Sequence, residues 1–182
     1  MLMPGGYAMA DLTLFTLNAQ NPNMTLAENV EQWRLFTDRV MGGVSSGHIG
    51  ADEVAGRACL RMRGDVKMEN NGGFVQMTAD LDDSLRQQLP RFRGLALEVY
   101  GNAERYNAHL RTDTMRYPWQ SYRISFMAEP TWQTIKLPFV DFEPYRTDEA
   151  LDVSRIRRLG LVAIGRPFAA DLCVAEVSFY EE

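Results

Sequence analysis

The sequence predicts an all-β fold, an antiparallel β-sandwich or jelly roll with a few short helical turns. Three observations predict it. Apolar and polar residues alternate at a period of two in run after run, the pattern of a strand with one buried face. Gly, Pro, Asn and Asp bound those runs, as turn residues do. No helix-period stretch is long enough to carry the chain between parallel strands.

Residues 12–17 open the series as a short apolar strand. Thr25, with Glu28 three places on, fits a capping box and predicts one or two helical turns toward Trp33. Residues 57–63 place Ala58, Leu60 and Met62 on one face. Residues 73–81 set Val75, Met77, Ala79 and Leu81 against Phe74, Gln76 and Thr78. Asp83 and Ser84, followed by LRQQL and Pro90, predict a brief helical turn. Residues 94–100 set Leu95, Leu97 and Val99 against Ala96, Glu98 and Tyr100. Residues 106–112 alternate Tyr106, Ala108 and Leu110 with Asn107, His109 and Arg111. Residues 121–127 alternate Tyr122, Ile124 and Phe126 with Arg123, Ser125 and Met127. Strands at 132–137, 159–164 and 171–180 complete a set of about nine, with a helical turn at 152–156. Trp33 and Trp132 read as core. With no repeat, linker or low-complexity tract, residues 11–182 read as one domain and residues 1–10 as a flexible N-terminal extension.

The 182 residues are 46% hydrophobic and 24% charged, which is globular and not disordered usage. A net charge of −5 speaks against electrostatic binding of nucleic acid. Of 19 basic residues only Lys67 and Lys136 are Lys, so the positive charge is almost all in the planar, forked form of Arg. Cys59 and Cys173 each sit in an apolar alternating run and read as two buried free thiols, with a single disulfide the alternative. The N-terminus carries no basic, apolar leader and no run approaches the ~18 apolar residues of a membrane span. A soluble cytoplasmic protein without membrane insertion is expected.

Residues 33–50, WRLFTDRVMGGVSSGHIG, are the least generic stretch. Gly42 and Gly43 permit close backbone approach, and Asp38 and Ser45 flank them with side chains that can bond loop N–H groups. The plain reading is a stiff turn. A phosphate cradle lacks the following helix and the Lys. A calcium site at Asp38 lacks a regular acidic series, so no metal is assigned. Asn71, Gly72 and Gly73 before a strand predict a hairpin turn or bulge.

These pieces resemble the complex I intermediate-associated protein 30 family. Trp33 followed by Asp38, Arg39, Val40, Met41, Gly42, Gly43, Val44 and Ser45 carries the specific part of the likeness. Asn71 to Phe74, Gly94 with Leu95, Tyr106 with Leu110 and Arg111, Trp132, Leu137 to Phe139 with Phe142, Leu159 to Leu161, and Val177 to Tyr180 follow in the family's order. The chain departs from it after Phe139, where an Arg-Gly pair is replaced by a run reaching Tyr145 and Arg146, and between Gly101 and Tyr106. The resemblance implies a galactose-binding-like β-sandwich. It also implies a protein partner, a subunit or assembly intermediate of respiratory NADH:ubiquinone oxidoreductase.

No catalytic constellation stands out. His48 and His109 each stand alone, and adjacent carboxylates in a strand point to opposite faces. Ser45 and His48, three apart in a Gly loop, are no triad. No cofactor is expected. The candidate binding residues are Asp38, Arg39, Ser45, Asn107, His109, Arg111, Trp119 and Arg123, with Gly42, Gly43, Asn71, Gly72 and Gly73 shaping loops. Asn107, His109, Arg111 and Arg123 share the polar phase of two strands, and Tyr117, Trp119 and Tyr122 lie in or beside the turn between them. The expected function is non-catalytic protein interaction of the assembly-factor kind. The alternatives are a carbohydrate or small-ligand binding module and, behind it, an enzyme.

Overall fold

The computed structural model describes residues 12–16 and 32–181. The expected extension at residues 1–10 and the capping box at Thr25 lie outside the described residues. Within them the chain forms two antiparallel sheets. The first orders β3 (Ser46–Val54), β4 (Arg57–Val66), β12 (Phe168–Tyr180), β6 (Gly94–Tyr100) and β9 (Gln133–Pro138), with β1 (Leu12–Thr16) also paired to β12. The second orders β10 (Glu143–Tyr145), β8 (Ser121–Ala128), β7 (Glu104–Thr112), β11 (Ile156–Ile164), β5 (Phe74–Asp80) and β2 (Trp33–Thr37).

The inward phase of each alternating run builds one core between the sheets. Leu60 and Met62 of β4, Leu95, Leu97 and Val99 of β6 and Val177 and Phe179 of β12 meet Val75 and Met77 of β5, Tyr106 and Leu110 of β7 and Leu159 and Leu161 of β11. Such packing of two half-apolar sheets is the jelly-roll solution to burying both. The helical turn expected after residue 82 is α1 (Asp83–Gln88). The Asp82 carboxylate caps it by accepting the Leu85 N–H. The turn near 152 is a single 3-10 turn, Val153–Arg155.

Four expectations are corrected. The strands described number twelve, because β2, β3 and β10 were not expected. β2 and β10 are short. β3 is an edge strand interrupted by Gly47 and Gly50, where one-sided pairing relaxes the need for apolar alternation. The Asn71 to Gly73 turn closes no hairpin. It carries the chain from β4 in the first sheet to β5 in the second, while the tight hairpin turn is at Ala55 and Gly56, both at positive φ. Trp132 is half-buried outside the shared core, donating its indole N–H to the Val54 carbonyl against the ring of Tyr100. Trp33 is in the core as expected. Finally, Cys59 and Cys173 are not separate thiols. Alternation turns both away from the core neighbours Leu60 and Leu172, toward each other across β4 and β12, where they form a disulfide with Cα atoms 5.5 Å apart.

Candidate functional site

The outer phase of the second sheet forms a groove of about 920 Å³. Strand register builds its floor row by row. Thr78 of β5, Gly160 of β11, His109 of β7 and Arg123 of β8 lie side by side. The next row is Gln76, Val162, Asn107 and Ser125, and on the other flank Asp80, Arg158 and Arg111 align. Gly160 keeps the middle open: a Cβ there would sit 3.3 Å from the Gln76 amide oxygen and 3.5 Å from the Thr78 methyl. Phe36, Phe74 and Ile164 extend the floor, and Val40, Met41 and Met68 stand exposed at one rim. A smaller hollow of about 470 Å³ continues past Asn107, Ile164 and Gly165.

The predicted residues divide between this groove and its support. Asn107, His109, Arg111 and Arg123 come together in it, since β7 and β8 are neighbours. Trp119 hangs over it from the β7–β8 turn, stacked on Tyr117 at 4.8 Å between centroids and 8° between planes. Gln120 holds that turn by accepting the N–H groups of Arg116 and Tyr117. Tyr122, by contrast, points into the core and donates its hydroxyl to the Glu149 carbonyl.

Asp38 and Ser45 are placed where no ligand reaches: both are fully buried. One Asp38 oxygen accepts the Ser45 N–H at 2.9 Å. The other accepts the Ser45 hydroxyl at 2.5 Å, the Gly73 N–H at 2.5 Å and, more weakly, the Phe74 N–H at 3.4 Å. Burial works to raise its pKa, and these hydrogen bonds outweigh it and hold the carboxyl below its ordinary range. A carboxylate so filled with donors is a latch between two loops, not a calcium ligand. Among the described residues no three His, Cys, Asp or Glu gather as a metal site. Gly43 and Gly72 are glycine because a Cβ at either would fall within 2.4 Å of the Asp38 carboxyl group. Arg39 is likewise tied to the loop, its Nε donating to the Ser45 carbonyl at 3.0 Å. The latch thus sets Gly72, Gly73 and Phe74 at the groove's edge.

The groove's electrostatics are unusual for an acidic chain. No Asp or Glu lines it among the described residues. Arg158 is spent on Asp80 at 2.6 Å. Arg111 and Arg123 make no ion pair among the described residues, although each is partly buried. Arg123 instead lies over the Tyr145 ring at 3.6 Å and donates to the Ser121 hydroxyl at 2.8 Å. Burial, and then the nearby Arg123, push His109 down to about 3, so it is neutral at physiological pH. Thr78, 4% exposed, has a hydroxyl without a hydrogen-bond partner among the described residues. His48 is on β3 of the other sheet, and Asp38 is in the latch, so neither joins His109 and Arg111.

Sequence reasoning missed Phe36, Val40, Met41, Met68, Tyr145, Gly160, Val162 and Ile164 as lining residues. Phe74, Gln76 and Thr78 were legible as the second phase of their strand, but not as part of one surface with β7. Both departures from the family pattern border this face: Tyr145 on β10 lines the groove, and Glu104 and Arg105 on β7 line the adjoining hollow.

Solved structures share this architecture. The chain is similar to the family 11 carbohydrate-binding module of a cellulosomal cellulase of Clostridium thermocellum, with TM-score 0.71 and 11% identity over 96% of each chain. It is also similar to the family 11 module from Clostridium thermocellum in complex with a β-1,3-1,4-mixed-linked tetrasaccharide. There the TM-score is 0.69 and the identity 12%, over 86% of this chain and 93% of that one. A family 30 carbohydrate-binding module of a cellulosomal cellulase of the same organism gives TM-score 0.51 and 12% identity, over 76% and 92%. At such identities the likeness is one of fold: a β-sandwich of the jelly-roll kind. No curated protein matches the chain. The ordered motifs from Trp33 to Leu161, the loop latch they build and a family model matching residues 21–174 agree, and the chain belongs to the complex I intermediate-associated protein 30 family.

Proposed function

We propose that the protein is a non-catalytic binding protein that holds a partner protein in the groove on its second sheet. The observation that carries this reading is the groove itself: large, open, lipped by exposed Trp119, Met41 and Met68, and lined by no carboxylate among the described residues. Aromatic, Met and Arg side chains are the residue types enriched where proteins meet. Family membership supports a partner drawn from respiratory NADH:ubiquinone oxidoreductase or one of its assembly intermediates. A photo-crosslinking residue placed at Trp119, with a second at His48 on the opposite sheet as control, tests it in the native host. Subunits or assembly intermediates of that enzyme should be captured from position 119 only. Equal capture from both positions, or none from 119, sinks the reading.

A second reading, saccharide binding, is favoured by one observation: the flat, half-exposed Tyr117 and Trp119 pair beside the groove suits the face of a sugar ring. Melting-temperature shifts with mixed-linked glucan decide it through mass action.

The redox state of the Cys59–Cys173 pair bears on the compartment. No helix among the described residues is long and apolar enough to cross a membrane. Disulfides persist in oxidising compartments, so work in the cytoplasm requires the dithiol form of Cys59 and Cys173. Alkylation trapping at harvest reads which form the host contains.

A further inference from the structure

We infer that the groove's occupant is an acidic peptide segment, in which apolar side chains lie on the floor and a carboxylate is gripped between Arg111 and Arg123. This deepens the protein-binding reading above and rests on it. The charge argument comes first. In a chain of net charge −5, several arginines around this face are neutralised, Arg34 and Arg158 by Asp80 and Arg166 by Glu104, while Arg105 in the adjoining hollow is exposed to water. Arg111 and Arg123 alone line the groove with no carboxylate partner among the described residues, and both are partly withdrawn from water. Withdrawing a guanidinium without an anion is costly, and an incoming carboxylate removes that cost while making charge-assisted forked bonds.

Position fits the same ligand. Arg123 is directly opposite His109, and Arg111 is two residues further along β7, so the two arginines are diagonal neighbours with Cα atoms about 7–8 Å apart. Two long side chains starting from that spacing can turn toward one anionic group. His109 between them is neutral and adds no competing charge. Thr78, whose buried hydroxyl has no hydrogen-bond partner among the described residues, belongs to the row of His109 and Arg123.

The apolar part of the lining selects peptide over sugar. Phe36, Phe74, Val162 and Ile164 form the floor, and Met41 and Met68 stand 61% and 42% exposed at the lip. Flexible thioether side chains mould to varied apolar side chains. Recognition of sugar hydroxyls wants carboxylate and amide acceptors, and the lining offers only the amides of Asn71, Gln76 and Asn107.

Selection from a random peptide library displayed on phage, against the full chain, tests the inference without knowing the ligand. Selected peptides should be rich in Asp or Glu interspersed with Leu, Ile or Phe. A synthetic copy of the strongest should weaken by about tenfold or more on Arg111→Gln with Arg123→Gln, with the melting transition of the double variant intact. Its affinity should also fall as salt rises. Neutral or basic peptides that Trp119→Ala still abolishes would overturn the acidic occupant and leave the protein-binding groove standing. Peptides indifferent to every groove substitution would overturn both. Failure of selection, with retardation of the protein in gels containing polygalacturonate, would replace the peptide by an acidic polysaccharide.

Discussion

Replacing Asp38 by Asn should cost about 2–4 kcal/mol of folding stability, a figure assembled from its bonds. The substitution keeps shape, so no cavity confuses the result. The amide is best placed with its oxygen where the Ser45 hydroxyl, Gly73 N–H and Phe74 N–H converge. Its NH2 then faces the Ser45 N–H, donor against donor. A buried donor left unmade costs about 1–3 kcal/mol. The two short bonds that remain lose charge assistance, about 1 kcal/mol each, and the cheaper burial of a neutral group offsets part of the sum. Urea titration followed by tryptophan fluorescence measures the difference at pH 7. The acid limb gives a second check. The folded carboxyl titrates below its unfolded value near 3.9, so its contribution is complete above that value and is lost as pH falls through the folded one. The gap between wild type and variant should therefore shrink below about pH 4. A loss under about 1 kcal/mol at pH 7, or a gap that holds constant into acid, would refute the latch.

Gly43→Ala and Gly72→Ala should each destabilise by about 1–3 kcal/mol, because the added Cβ meets the Asp38 carboxyl, whereas Gly50→Ala, which has open space around it, should be nearly neutral in the same thermal melts. His109 is held neutral in the fold, so below its unfolded value near 6.5 the unfolded state binds the extra proton. Stability should then fall by up to about 1.4 kcal/mol per pH unit toward acid, and His109→Gln should flatten the curve between roughly pH 6 and 4.5; an unchanged slope there contradicts the assignment. The disulfide closes a span of 114 residues, for which chain entropy gives about 4–5 kcal/mol; Cys59→Ala with Cys173→Ala should lose a comparable amount, and thiol titration of unreduced protein should find no free thiol.

What was legible in the sequence was whatever depends on one strand at a time. The phase of β7 separates Tyr106, Ala108 and Leu110 from Asn107, His109 and Arg111 without any knowledge of neighbours, and the first set is core. β3 and β10 escaped because edge pairing tolerates Gly and short length, so their signal is weak. Asp38 and Ser45 were legible as unusual, with a stiff pinned turn as the first reading and a binding role as the second, and the buried latch accords with the first. Residue types that can bond a loop and those that can bond a ligand are the same types, and only burial separates them.

Alternation by itself determined a two-sheet β architecture and which phase of each strand is buried, because the period of side chains along a strand is a local property. The groove was decided by tertiary structure. It needs β11 to lie between β5 and β7, so that Gly160 opens a gap flanked by Thr78 and His109, and it needs Asp38 to draw two distant loops together at its edge. Strand order and loop closure are relations between residues far apart in the chain, and no window of sequence contains them.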